Sequence, residues 1–426
     1  MQINKIFNNI NNKWFGKNFV FLLLVMLCGF VISAEYSITR PASRGIFLTF
    51  FSAKSLPYAW ILTVPLNFLV ITLYDRILPK WGCLKTFITT AAVVIVINFF
   101  SALYISECHS LAFIQYVFKD IYILLMFKQI WSLIHTTLNS KKDKNLYGVI
   151  FTAGGIGSTV GAGIPSLFAV SLGSQALLYF CVPLYLVLMV IYYFAYKKSA
   201  FEQKETKESI SEKKSFGFVS ANKGLSLIFN SKFLLLFLFI VILMQMTIGI
   251  VDYQFSHLLE KKIILMDLRT QYMGRISAIT NFVTIFFQLF GGYLLIRLWG
   301  IKKSQLLIPI FLSFNTMLML VYPSFGMAGY ALISIKSMDY SLFSLTREML
   351  YQPMSLDEKF RAKAFIDVFA SRTAKAITSI FLLGLQFWHF KNVLPILNVF
   401  SFVLLFLWAY FVVMMFRHYR YQLPSN

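Results

Sequence analysis

Long apolar runs separated by short polar ones organise this chain. Crossing the hydrocarbon core of a bilayer takes about 20 apolar residues in a helix. Runs of that length recur from Phe19 to Phe416. The pattern predicts about twelve such helices, because each run is long enough to span. They fall at 18–40, 57–77, 86–105, 111–133, 148–170, 175–196, 233–255, 272–296, 304–322, 326–346, 361–385 and 394–416. The longest polar stretch, 197–232, opens with Lys197-Lys198 and continues through Glu202, Lys204, Glu205, Lys207, Glu208, Glu212, Lys213 and Lys214. A mixed-charge segment of this kind reads as a linker. It divides the spans six and six. The expected organisation is a cytoplasmic segment at 1–17, a first six-helix bundle at 18–196, the linker at 197–232, a second bundle at 233–416 and a tail at 417–426. The first run follows Lys5, Lys13 and Lys17, as a signal peptide would. Its helical pattern continues past Glu35 without a good cleavage signature, so an uncleaved spanning helix is the expectation.

Composition supports an all-α membrane protein. Of 426 residues 58% are hydrophobic and only 13% charged, against about 25% charged in soluble domains. The net charge of +22 raises the question of nucleic acid. The basic residues are scattered between apolar runs rather than gathered on one domain, which argues against it. The positive-inside rule accounts for them better. With the N-terminus in the cytoplasm, the outer segments hold only Arg44, Lys54, Lys261, Lys262, Arg269 and Lys391, while most of the 39 Lys and Arg lie in cytoplasmic segments. Both termini are then cytoplasmic. Frequent Lys, Asn, Ile and Phe associate the chain with a bacterial inner membrane.

Candidate chemistry narrows the function classes. Cys28, Cys83, Cys108 and Cys181 are far apart and lack metal-ligand spacing. His109, His135, His257, His389 and His418 form no spaced pair. No nucleophile elbow, zinc-protease motif, kinase motif or ATPase engine is present. Neither an enzyme nor a cofactor is expected.

Charged residues inside the spans are the informative ones. An ionised side chain at the bilayer centre costs about 2.5–3.5 kcal/mol on insertion scales, so such residues tend to face a partner or a water-filled cavity. The basic candidates are Arg40, Lys119, Lys128, Arg275, Lys336, Arg372 and Lys375. The acidic candidates are Glu35, Asp120, Asp252, Asp339 and Asp367. Lys336 and Asp339 are three apart and can pair along one helix face. Arg372 and Lys375 share a face and repel unless an anion or an acid lies between them. Lys119 and Lys128 point to nearly opposite faces. The excess of bases favours a small anionic metabolite as cargo, and phosphate suits Arg and Lys together. Lipid is the other expected partner.

Two glycine patterns bear on packing. Ala153, Gly157 and Gly161 recur every four residues, giving a small-residue face for close helix approach. The run around them is not a phosphate-binding loop, because no Lys-Ser or Lys-Thr follows at the needed spacing. The turns Arg76-Ile77-Leu78-Pro79-Lys80-Trp81-Gly82 and Arg297-Leu298-Trp299-Gly300-Ile301-Lys302-Lys303 resemble one another, as two related bundles would require.

Four stretches carry a family resemblance. They are Glu35-Tyr36-Ser37-Ile38-Thr39-Arg40-Pro41-Ala42-Ser43-Arg44; Lys119-Asp120 followed by Gln129-Ile130-Trp131-Ser132; the glycine-rich run; and Arg347-Glu348-Met349-Leu350-Tyr351-Gln352-Pro353-Met354-Ser355 with Lys363-Ala364-Phe365-Ile366-Asp367 beyond. In these the chain resembles the ATP:ADP antiporter family of nucleotide transporters, grouped with the major facilitator fold. In the first stretch Pro41 intervenes and Arg44 stands where the family has an acid. The resemblance implies exchange of nucleotides or related phosphorylated anions by alternating access. Arg40, Lys119, Arg275, Lys336, Arg372 and Lys375 would attract phosphate. Glu35, Asp120, Asp252, Asp339 and Asp367 would gate or pair charges. The alternative keeps the fold and moves another metabolite, with protons passing through Glu35 or Asp252.

Overall fold

A computed structural model describes residues 19–137, 144–199, 228–351, 366, 370–388, 390 and 392–419. Most of the expected linker, both expected terminal segments except 417–419, and Asp367 lie outside the described residues. Helix dominates, and no strand occurs among the described residues. The helices are α1 (Phe19–Phe50), α2 (Leu56–Tyr104), α3 (Ser110–Thr137), α4 (Lys144–Leu172), α5 (Ser174–Tyr179), α6 (Cys181–Lys197) and α7 (Lys232–Lys262). They continue with α8 (Met266–Phe286), α9 (Gly292–Val321), α10 (Phe325–Met338), α11 (Ser344–Leu350), α12 (Ser371–Phe387) and α13 (Val393–Tyr419). Nine helical stretches among the described residues are long and apolar enough to cross a membrane. Large apolar side chains such as Phe151, Leu167, Phe282 and Phe406 stand exposed on them, as lipid-facing surfaces require. The protein is a multi-pass membrane protein.

The repeated turns are the same turn. α2 breaks at Gly82 (φ 72°, ψ 168°), and α9 breaks at Gly300 (φ 73°, ψ 166°). That region of backbone space is essentially restricted to glycine. Each break falls where the sequence places the end of one span and the start of the next.

Two helices run further than their apolar stretches. α1 continues through Pro41 to Phe50, ten residues beyond the expected end at 40, because Ala42, Ile46 and Phe47 still find buried contacts. Arg44 is therefore helical rather than in an outer loop. α7 continues through His257 and Glu260 to Lys262. Hydropathy marks the part of a helix that suits lipid, not the part that is hydrogen-bonded. At the other end of α7, Ser231 caps the first turn by accepting from the Leu234 N–H.

The described residues fall into two compact units. The first comprises those within Met1–Ile46, Asn67–Ser215 and Thr270–Ala278; the second, those within Phe47–Leu66, Phe216–Arg269 and Ile279–Asn426. In the first, Phe21, Val25, Cys28 and Ile32 follow helical spacing along one face of α1. They pack with Met126, Ile130 and Leu133 of α3 and with Tyr185, Leu188 and Tyr192 of α6. In the second, α7 packs against α10, α12 and α13. Lipid is as apolar as these side chains, so close packing and internal hydrogen bonds hold such helices together.

Candidate functional site

The small-residue face of α4 places the polar part of α1. A Cβ at Gly157 would overlap the backbone of Phe30, and one at Gly161 the backbone of Ala34. This contact lets Ser37 and Ser158 share a 2.8 Å hydrogen bond. Just beyond it, residues four apart on α1 form two polar rows, as helical geometry dictates.

The first row is Tyr36, Arg40 and Arg44. Tyr36 donates to Asp120 Oδ1 at 3.1 Å, and the Arg40 guanidinium lies 6.0 Å from the Tyr36 ring centre. Arg44 donates to the Tyr116 hydroxyl at 3.0 Å. From α3, Lys119 donates to Tyr116 O at 2.9 Å and to Asp120 at 3.4 Å, and its ammonium sits 3.6 Å from the Tyr116 ring centre. Lys119 and Arg44 are buried, at 3% and 7% exposure. Among the described residues three cations thus share this face with the Asp120 carboxylate, and the tyrosine rings supply cation–π contacts.

The second row is Glu35 and Thr39. Glu35 Oε1 accepts from Thr39 Oγ1 at 2.6 Å and from the Tyr122 hydroxyl at 2.8 Å. Lys128, on another side of α3, pairs with Asp75, so Lys119 and Lys128 do serve different partners.

In the second unit Lys336 reaches across from α10 to Asp252 of α7 at 2.6 Å, with both side chains nearly enclosed. The sequence spacing suggests Asp339 as its partner instead. That acid accepts from Gln245 at 3.3 and 3.4 Å and meets Lys336 and Arg347 only as neighbouring charges. The π-helical turn Asp339–Phe343 starts at this residue, and Asp252 faces the lysine from the packed helix. Arg275 is exposed on α8. Arg372 and Lys375 are half-buried one turn apart on α12, and each is engaged by another group.

One further cation was not singled out by the sequence. Arg269 donates through Nε to Ile263 O at 2.6 Å, through Nη1 to Leu48 O at 2.9 Å and through Nη2 to Glu260 O at 3.0 Å. It serves carbonyls at the ends of both α1 and α7, which otherwise lack intrahelical partners. Glu260 in turn accepts from the Ala53 N–H at 2.6 Å, just after Ser52 with its φ of 55°. A sequence signal exists in hindsight: an arginine shortly after a helix end is suited to capping it.

The Major Facilitator Superfamily profile matches residues 132–354. The chain belongs to the major facilitator superfamily. A second profile, that of the TLC ATP/ADP transporter, matches residues 315–419, a stretch containing Lys336, Asp339, Arg372 and Lys375. This facilitator chain is 26% identical over 223 residues to ADP,ATP carrier protein 3 of Rickettsia bellii (strain RML369-C), covering 47% of this chain and 44% of that protein. It is 25% identical over 221 residues to ADP,ATP carrier protein 1 of Chlamydia muridarum (strain MoPn / Nigg), covering 47% and 42%. The match spans less than half the length of either relative. In fold the chain is similar to the nucleoside transporter NupG, with a TM-score of 0.66 at 14% identity over 93% of this chain and 99% of that one. It is likewise similar to a bacterial homologue of the iron transporter ferroportin in an inward-facing state, with a TM-score of 0.65 at 10% identity over 93% and 98%. At such identities the likeness is one of fold.

Proposed function

We propose that this facilitator exchanges nucleotides of the ATP and ADP kind, or closely related phosphorylated anions, across a bacterial inner membrane by alternating access. The observation that carries this reading is the positive face that Arg40, Arg44 and Lys119 build beside the Asp120 carboxylate. Arg offers parallel donors to phosphate oxygens and Lys a point charge. Partial likeness to ADP,ATP carriers supports the nucleotide. In this reading Arg40, Lys119, Arg275, Lys336, Arg372 and Lys375 attract the phosphates, while Asp120, Asp252, Asp339 and Asp367 hold those bases in place between substrates. Loop charge supports cytoplasmic termini and two six-helix halves at 18–196 and 233–416. Proteoliposomes loaded with ADP test the proposal. Labelled ATP should enter, and internal ADP should stimulate its entry. Folded protein that takes up no ATP under either condition sinks it.

A further inference from the structure

Among the described acids of the site, Glu35 stands apart. It is 1% exposed. Its Oε1 takes the two hydroxyl hydrogen bonds from Thr39 and Tyr122. Its Oε2 has no hydrogen-bond partner among the described residues, and neither has the hydroxyl of buried Tyr185. Tyr185 and the Cys181 thiol face the carboxyl from α6. Behind Cys181 stands Asn98 of α2, which accepts from Gln115 of α3 at 3.1 Å. Every one of these neighbours is ordinarily uncharged at neutral pH.

Several charged groups on the surrounding helices have contacts of their own. On α1 and α3, Arg44 and Lys119 bind Tyr116, Arg40 lies against Tyr36, and Asp120 takes Tyr36 and Lys119. On α2 and α3, Asp75 and Lys128 pair with each other. On α6, Lys197 lies over the Tyr193 ring. On α4, Ser158 is bound to Ser37.

A carboxylate with hydroxyl donors but no cation is expensive to keep ionised away from water. The neutral acid fits the same surroundings. It accepts on Oε1 as observed, and a proton on Oε2 supplies a donor beside the vacant acceptor of Tyr185. We propose that Glu35 is a proton-binding site of this transporter, loaded in the conformation described here and unloaded to water in another. The proton enters from water as the carboxylate becomes the acid and leaves as the carboxylate re-forms. Among the described residues the neighbours offer the ionised form hydroxyl and thiol donors but no cation, and the carboxyl is closed off from water, so unloading belongs to a conformation that opens it to water. That requirement couples the proton to the transport cycle.

The full chain in nanodiscs tests the site without any substrate. At neutral pH the infrared difference between wild type and Glu35→Gln should contain a protonated carboxylic C=O band that shifts in D2O. Ionised carboxylate bands in that difference overturn the proposal. Glu35→Asp keeps an acid at the position, and its shifted band replaces the comparison if the Gln variant fails to fold. The second arm rests on the nucleotide reading and uses labelled ATP with proteoliposomes under an imposed pH gradient. An inward proton gradient should raise wild-type uptake several-fold. In Glu35→Gln the ratio of uptake with and without the gradient should fall to unity, whatever the absolute rate. Wild-type uptake indifferent to the gradient also overturns the coupling. If no ATP enters under any condition, the nucleotide reading is what fails, and the infrared arm still decides the proton site.

Discussion

Glu35 on α1 and Asp252 on α7 face the same problem and meet it differently. The interval between them nearly equals the interval from Gly82 to Gly300, so each precedes its glycine turn by nearly the same length of chain. Both are buried, at 1% and 6% exposure. Asp252 meets an ammonium at 2.6 Å. Among the described residues Glu35 meets two hydroxyls at hydrogen-bond distance and no cation. One acid keeps its charge by pairing; the other has surroundings that suit it without charge. Burial alone therefore does not say what an intramembrane acid does, and the identity of its neighbours does.

The comparison is most exposed to removal of one acid at a time. Asp252→Ala removes the carboxylate that the buried Lys336 ammonium meets at 2.6 Å, and breaking such a pair costs about 3–5 kcal/mol. Thermal unfolding in detergent should show a large fall in Tm. Adding Lys336→Met should restore most of it, because no charge is then stranded. Glu35→Ala should lower Tm less than Asp252→Ala, since it strands only hydroxyls. Equal losses from the two would break the contrast.

Next in size is the seat on which Glu35 depends. Gly161→Val would drive side-chain atoms into the Ala34 backbone, and overpacking of this kind costs about 1–3 kcal/mol. Gly163→Ala, two residues on, meets nothing within 4 Å. It should stabilise α4 by about 0.5–1 kcal/mol, the usual preference of a helix interior for Ala. The same unfolding assay should therefore give opposite signs for the two variants. Gly82→Ala and Gly300→Ala should each cost about 1–3 kcal/mol for backbone strain, with similar Tm losses if the turns are equivalent.

The smallest effect gives the sharpest reading. Tyr122→Phe removes one hydrogen bond to Glu35. If the acid is neutral the loss is about 0.5–1.5 kcal/mol, and if it is ionised about 1.5–3 kcal/mol. A loss in the upper range would place a charge on Glu35 and collapse the contrast with Asp252.

Much of this was legible in the sequence for identifiable reasons. Spans are legible because lipid imposes length and apolarity on each helix separately. The contact of Gly157 and Gly161 with α1 is legible because a close approach leaves a four-residue period. The Trp-Gly turns are legible because the backbone there admits little but glycine. What the sequence hides lies between helices. Spacing offers Lys336 the acid three residues on, whereas packing offers it Asp252 from a helix far away in the chain. The hydroxyls of Tyr36, Tyr116 and Tyr122 do not stand out among 22 tyrosines, because a tyrosine that binds a charge and one that only fills space leave the same letter. The run of α1 through Pro41 is hidden because proline ordinarily ends a helix, and here burial of the next two turns outweighs that tendency.

The Arg269 corner carries a consequence for life beside an acidity gradient. A guanidinium keeps its proton throughout the physiological range, and a peptide carbonyl has no proton to gain. The three bonds from Arg269 to Ile263, Leu48 and Glu260 carbonyls therefore form an acid-proof fastening between the ends of α1 and α7. Swings in pH that would load or strip a carboxylate leave this corner untouched, save for the Ala53 bond to the Glu260 side chain.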